Sequence, residues 1–479
     1  MSNLRITDNH EFINLDSLSD LRYWHDQIDD NVKRDLMLIA DVKIGKLKLK
    51  DNSNLLVFPR DLHSNGDEIE DNSIISINNE EISTGNIMGF VGINETQVDI
   101  RSRFADINEE DSLLHYLLQK VFAINLFDIK HTTSKEPIFD FLLYLFPYFL
   151  KKALAQGLYK KYQKYEYNDS NIKGPINISR HIQKNIPFKG TVAYSTREHS
   201  YDNDVTQLIR HTIEYIKTKP AGQIILNNDR DTKECVLQIT LATQTYNQRE
   251  RQQVMNKNLR PIRHPYYSAY TELQKLCIQI LRHESIKYGQ EKDKVYGILF
   301  DGAWLWEEYL DRVFKENGLN ITHAKNKTGE NGIALYKGGN KCYYPDFYVD
   351  NKNVVDGEKS FVLDAKYKRL GYDVRIDEQA DSVLQNVISI CRDDLFQMIT
   401  YMHVMPAKHC ALLYPIEKSE NVNTKGVLVS QSRNLLGFGG EILGYGLRIS
   451  NNHGSFSDFY QEMAFIENDL CETVEKWLK

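Results

Sequence analysis

Two short apolar runs, Phe347-Tyr348-Val349 and Phe361-Val362-Leu363, constrain the fold of this chain more than any other stretch. Aromatic and β-branched residues dominate both, and turn signals lie between them at Asn351-Lys352-Asn353 and Asp356-Gly357. The pattern predicts two adjacent antiparallel strands. Pro345-Asp346, the only Pro-Asp dipeptide in the chain, opens the first run, and Asp364-Ala365-Lys366 closes the second. Side chains alternate across a strand, so Asp364 and Lys366 project from one face, and a hairpin can bring Asp346 beside them.

That grouping is the one metal-dependent phosphodiesterases need. Two carboxylates on neighbouring strands supply hard oxygen ligands for Mg²⁺, which keeps waters and phosphate oxygens in its remaining positions. A lysine beside them can position the attacking water or the scissile phosphate. The Asp-x-Lys triplet alone decides nothing, because it recurs at Asp41, Asp128, Asp231 and Asp350. The same spacing also fits an exposed hairpin with ordinary surface acids and lysines.

The flanking segments favour the site. Upstream, Trp304-Leu305-Trp306-Glu307-Glu308-Tyr309-Leu310 has large apolar residues at helical spacing and two acids within it. Either acid can reach the same cation, or remain solvated. Downstream, Asp394–Met402 predicts a second helix with Gln397 and Tyr401 at i and i+4 on one face. A core tyrosine beside a solvated glutamine fits that spacing equally well. Cys410-Ala411-Leu412-Leu413-Tyr414-Pro415 reads as a buried strand closed by proline. Helix, hairpin, helix and strand in this order build a small α/β core around one site.

With these residues in view, the chain resembles the McrC family, the nuclease subunits of 5-methylcytosine restriction systems and their LlaJI-type relatives. The resemblance implies a PD-(D/E)xK fold with Asp346, Asp364 and Lys366 at its catalytic positions. Glu307 fits the family's leucine-aromatic-glutamate pattern better than Glu308. Gln397 and Tyr401 match its Q-x-x-x-Y helix, ahead of an L-L-Y-P strand. The likeness extends through Phe149-Leu150, Gly157-Leu158-Tyr159, Lys173-Gly174-Pro175 and Tyr201-Asp202-Asn203-Asp204, with Lys173 and Pro175 where the family carries arginines. It covers roughly residues 110–415 and is looser at Gly89–Gly92 and Val98–Ile100.

A chain of 479 residues predicts two to four domains. Charge divides it into thirds: 11 Lys+Arg against 22 Asp+Glu in residues 1–110, 23 against 14 in 111–265, and 25 against 30 in 266–479. The basic middle interleaves Lys151, Lys152, Lys160, Lys161 and Lys164 with Tyr159, Tyr162, Tyr165 and Tyr167. Such a segment suits a nucleic-acid backbone, a solvated helix face over core tyrosines, or an acidic partner surface. Met37–Ala40 and Ser73–Ile77 read as β-like, whereas helical spacing runs from Leu113 to Tyr167 and returns at 205–217, 266–288 and Asp458–Leu478. Arg249–Pro265 reads as a polar connector and a domain boundary.

The expected fold class is α+β and multi-domain. A β-rich N-terminal domain spans residues 1–110, a mostly helical basic domain 111–265, and a C-terminal α/β PD-(D/E)xK nuclease core 266–479; the resemblance implies that the first two regions dock onto a partner and the third cuts. Six scattered cysteines without a C-x-x-C pair argue against a zinc cluster or disulfide framework and fit a reducing cytoplasm. The longest apolar run, Ile138–Leu150, carries Asp140 and Pro147 and is too short to cross a bilayer, so no membrane partner is expected. The N-terminus lacks a signal-peptide core. No phosphate-binding G-x-x-x-x-G-K-[ST] loop occurs. The resemblance supplies a separate AAA+ GTPase, McrB-like, which this subunit stimulates and which brings double-stranded DNA to it. The expected cofactor is Mg²⁺ or Mn²⁺. An adaptor with a vestigial nuclease fold and a stand-alone repair-type nuclease are the competing readings.

Overall fold

Strand Val295–Asp301, late in the chain, lies in a sheet built otherwise from the first hundred residues. It pairs parallel to Asn54–Phe58 and antiparallel to Ile87–Ile93, and Thr96–Arg101 and Ser2–Thr7 complete five strands. The computed structural model describes residues 2–9, 13–14, 30–49, 54–59, 71–78, 81–94, 96–105, 111–122, 137–219, 222–227, 229–262, 264–286, 295–325, 329–337, 341–349, 360–368, 372–373, 387–388, 392–417, 427–429, 433–436, 439–450, 453 and 455–478. The turn at Asn351–Gly357, the Asp128 and Asp350 triplets and Cys391 lie outside them. The other five cysteines are free thiols. Among the described residues, no helix is long and apolar enough to cross a membrane.

The chain divides into two compact units, residues 1–127 with 291–479, and residues 128–290. The composition-based boundaries at 110 and 265 therefore differ from the structural division. The cause is the long-range pairing of Val295–Asp301, which ties the N-terminal strands to the C-terminal part in one unit.

In the first unit, Val32, Leu36 and Ile39 pack with Leu4, Val57, Val91 and Val98. Met37–Ala40, expected as β-like, is instead the end of helix Asp30–Ile39. Its buried residues recur at three- and four-residue intervals, which only a helix turns to one side. The second sheet runs Thr322–His323, Phe347–Val349, Phe361–Ala365, His409–Glu417, Glu441–Ile449, Val427–Val429, with Arg433–Asn434 also on Glu441–Ile449. The first three are antiparallel, and Phe361–Ala365, His409–Glu417 and Glu441–Ile449 run parallel. Helix Arg392–Val404 is the crossover between the first two parallel strands. Pro415 does not close its strand, which continues to Glu417. Phe361–Ala365 ends opposite Leu413, so Pro415 lies beyond that neighbour's ladder.

The second unit packs helices Pro137–Leu154, Asp204–Lys217, Arg230–Ala242 and Ala269–Ile286 against one another. The Lys161–Asp169 segment is a strand, paired antiparallel with Val192–Ser200, and not the helix face its lysines suggested. From Gln163 to Asp169 its exposure alternates, so the period is two. Tyr159 is in the core, while Tyr162 is exposed. Buried Asn203 caps helix Asp204–Lys217, accepting from the Val205 and Thr206 amides, which explains the Asp-Asn start read there. The connector at 249–265 contains a further helix, Arg251–Lys257.

Candidate active site

The pairing of Phe347 with Leu363 and Val349 with Phe361 sets the geometry. Extended by one residue, the same register puts Asp346 directly across from Asp364, where side chains share a face. Asp346 Oδ2 accepts the Ala365 amide at 2.7 Å. Val362, Cys410, Leu412 and Tyr414 pack on the same side of the sheet against Met398, Tyr401 and Met402 of helix Arg392–Val404. Asp364 therefore points beneath that helix, with 1% of its surface exposed.

Lys366 Nζ stands 2.5 Å from Asp364 Oδ2 and donates to Gln397 Oε1 at 3.0 Å. Gln397 Nε2 donates in turn to Tyr401 Oη at 2.9 Å, and that hydroxyl lies 3.4 Å from the Tyr344 carbonyl. The i, i+4 spacing places both side chains over the lysine. The Lys366 amide donates to the Leu413 carbonyl at 2.9 Å. Lys366 is also 3.8 Å from Asp394, which pairs more closely with Lys368 at 2.7 Å.

Burial is the main force raising the Asp346 carboxyl well above its usual range, with repulsion from Asp364 and then Glu307 adding to it. Burial likewise raises Asp364, against the pull of Lys366. Burial opposes charge on Lys366, but Asp364 and Asp346 outweigh it and the ammonium is held more firmly than in water. Burial pushes the Tyr401 phenol up to about 12. Among the described residues, and apart from the short ion-pair contact, neither Asp364 oxygen meets a donor at hydrogen-bonding angles. Two desolvated carboxylates facing one lysine make a donor set that fits a divalent cation.

Helix Gly302–Glu316 brings the upstream acids. It starts at once from the preceding strand, because Asp301 caps it by accepting the Ala303 and Trp304 amides. Fully buried Trp306 donates to the Leu413 carbonyl at 3.2 Å and fixes the helix against the sheet. Glu307 is the acid whose charge acts on Asp346. Its carboxylate meets His323 Nε2 at 2.7 Å, while Glu308 pairs with Lys325 at 2.7 Å. His323 also faces Asp311 at 3.5 Å, one turn from Glu307. Burial opposes the His323 charge, but the two acids outweigh it and push the imidazole up to about 9. Glu308, Asp311 and His323 bring one potential ligand atom each within 4.8 Å of one another. Lys325 and Lys315 already neutralise the two acids, so the group is an ion-pair cluster.

The structure thus gathers Asp346, Asp364, Lys366, Gln397 and Tyr401, with Glu307 on their flank. His323 and Asp394 were missed in the sequence. His323 lies in a two-residue strand with no recognisable pattern, and Asp394 reads as a helix-start acid.

A family model described as McrBC 5-methylcytosine restriction system component matches residues 82–415. The chain belongs to that family. No curated protein matches the chain. It is similar, at 14% identity and a TM-score of 0.47, to a chain in a solved structure described as a refined half-complex from a tetradecameric assembly of Thermococcus gammatolerans McrB AAA+ hexamers with bound McrC. The match covers 97% of this chain and 100% of that one. A second likeness, to a cryo-EM structure of the Thermococcus gammatolerans McrBC complex, has 14% identity and a TM-score of 0.34. It covers 67% of this chain and 90% of that one. The McrBC family match and the site geometry meet in one region, since residues 346–401 lie within the matched span.

Proposed function

We propose that this chain is the divalent-cation-dependent endonuclease subunit of a GTP-driven restriction complex, cutting double-stranded DNA by phosphodiester hydrolysis. One observation carries the reading: the buried Asp364 and the half-buried Asp346 oppose each other across neighbouring strands, with a lysine ammonium 2.5 Å from Asp364. Membership of the McrBC family supports the restriction setting and, with it, an AAA+ GTPase partner of McrB type.

In this reading Asp346 and Asp364, with Glu307 beside them, hold Mg²⁺ or Mn²⁺. When bound, the cation supplies positive charge at the scissile phosphate and makes water more acidic. Lys366 stays protonated and orients the attacking water or a phosphate oxygen, and Gln397 fixes its direction. The Tyr401 phenol holds its proton at working pH, so it orients Gln397 and does not act as a base. Restraint of cleavage follows if the partner ring supplies most of the DNA affinity, which suits a chain of net charge −7.

The test is cleavage of methylated and unmethylated DNA with Mg²⁺ and GTP, with and without the partner GTPase. The expected result is cutting of methylated DNA only with partner, GTP and cation together. Stimulated GTP hydrolysis without any cleavage would overturn the nuclease reading in favour of an adaptor. Equal cleavage without the partner would favour a stand-alone nuclease.

A further inference from the structure

The catalytic lysine is tied to the N-terminal sheet by an arginine that no motif marks. Strands Ser2–Thr7 and Thr96–Arg101 run parallel, with Thr7 opposite Arg101, so Asp8 and Arg103 emerge at the same sheet end. Asp8 Oδ1 accepts the Arg103 amide at 2.5 Å, and Oδ2 accepts Arg103 Nη1 at 3.1 Å. Both side chains are buried, at 0% and 8% exposure. The other guanidinium nitrogen, Nη2, donates to the Lys368 carbonyl at 3.0 Å. The guanidinium carbon lies 4.3 Å from the centre of the Tyr367 ring and 4.9 Å from that of Phe104. Tyr367 is itself locked: its hydroxyl reaches Met88 Sδ at 3.6 Å, and a Cβ at Gly302 would come within 2.8 Å of its ring.

These contacts fall on the two residues directly after Lys366. We propose that Arg103 is a positioning residue for Lys366, clamping the Tyr367–Lys368 backbone to the N-terminal sheet so that the ammonium is aimed at Asp364. Burying a guanidinium and a carboxylate is costly, and packed apolar side chains would stabilise the junction equally well. What they would lack is a planar fork that holds a carboxylate, a carbonyl and an aromatic face at once. Lys366 is otherwise held through its own amide on Leu413 and its side chain on Gln397 and Asp364. Arg103 adds a backbone anchor on its C-terminal side, beside the Lys368–Asp394 ion pair.

The proposal rests on the reading of Lys366 as the nuclease lysine, and the test separates the two. Arg103→Lys keeps a charge for Asp8 but cannot span Tyr367 and the Lys368 carbonyl. The full chain is measured in three ways: thermal midpoint, acetylation rate of Lys366 by acetic anhydride read by mass spectrometry without cation or partner, and cleavage with partner, GTP and Mg²⁺. Arg103→Lys is expected to remain folded with a modestly lower midpoint, to acetylate Lys366 about fivefold or more faster, and to lower kcat by roughly 10-fold to 100-fold at unchanged KM. If Arg103→Lys does not fold, Asp8→Asn/Arg103→Gln neutralises both partners together, and the same shifts are expected. Wild-type labelling and wild-type kcat in the folded variant, with Lys366→Ala inactive, would overturn the clamp. Wild-type cleavage by Lys366→Ala would instead overturn the nuclease reading, while the labelling rate still decides the clamp.

Discussion

Asp346 stands directly across from Asp364 in an antiparallel pair, and its Oδ2 accepts the amide of Ala365, the residue between Asp364 and Lys366. One acid thereby fixes the backbone that carries the other acid and the lysine. Isothermal titration of Mn²⁺ or Mg²⁺ into the chelator-stripped full chain should show a site weakened more than about tenfold by Asp346→Asn or Asp364→Asn, because each variant removes a charged oxygen ligand. Unchanged binding in both variants would place the cation elsewhere and favour the adaptor reading.

Gln397 connects Lys366 to Tyr401. Gln397→Ala should lower kcat about tenfold, since misaligned groups lose rate steeply, and should cost about 1 kcal/mol of stability for the lost hydrogen bonds. Tyr401→Phe should act in the same direction and more weakly. Steady-state cleavage beside urea unfolding separates the two effects, and a Gln397→Ala enzyme with full kcat would contradict the orienting role.

The first unit holds a buried carboxylate away from the site. Glu467 accepts the Tyr116 hydroxyl at 2.5 Å, the Tyr309 hydroxyl at 3.0 Å and Lys120 at 3.0 Å. Glu467→Ala leaves those donors without their common acceptor and should destabilise by about 3–5 kcal/mol. Glu467→Gln should cost about 1–2 kcal/mol. Denaturant unfolding measures both, and a neutral Glu467→Ala would show the network to be dispensable.

His211 gives the second unit an acid sensitivity. Its ring is buried, neither nitrogen has a hydrogen-bond partner among the described residues, and it packs 4.7 Å from Tyr246. Burial, with the charge of Arg251 second, pushes its pKa down from 6.5 to about 4. The unfolded chain takes up the proton first, so stability is complete above pH 6.5 and falls as pH drops toward 4. Thermal midpoints across that window should decline in the wild type and decline less in His211→Phe. Parallel pH curves would remove His211 as the cause.

The paired strands and their flanking helices were legible because their signals are local: aromatic and β-branched runs on each side of turn residues, a helical period in Trp304–Leu310, and an i, i+4 pair at Gln397 and Tyr401. Register then converts local pattern into the opposition of Asp346 and Asp364. Contacts between distant segments were not legible. Nothing in Val295–Asp301 announces pairing with Asn54–Phe58, and nothing in Asp8 or Arg103 points to Tyr367. Short runs also mislead: Met37–Ala40 is apolar enough for a strand until Val32 and Leu36 supply the helical phase. In Lys161–Asp169 the exposed Lys164 and Glu166 alternate with half-buried Gln163, Tyr165 and Tyr167, a period of two that a count of charges does not register.

The most direct test of the central claim is cleavage of methylated DNA by Asp364→Asn, with partner, GTP and Mg²⁺, alongside its GTPase stimulation. The account predicts loss of cutting by at least about a hundredfold, as removal of a charge-stabilising group does, with partner binding and GTPase stimulation retained. Full cleavage by Asp364→Asn would contradict it.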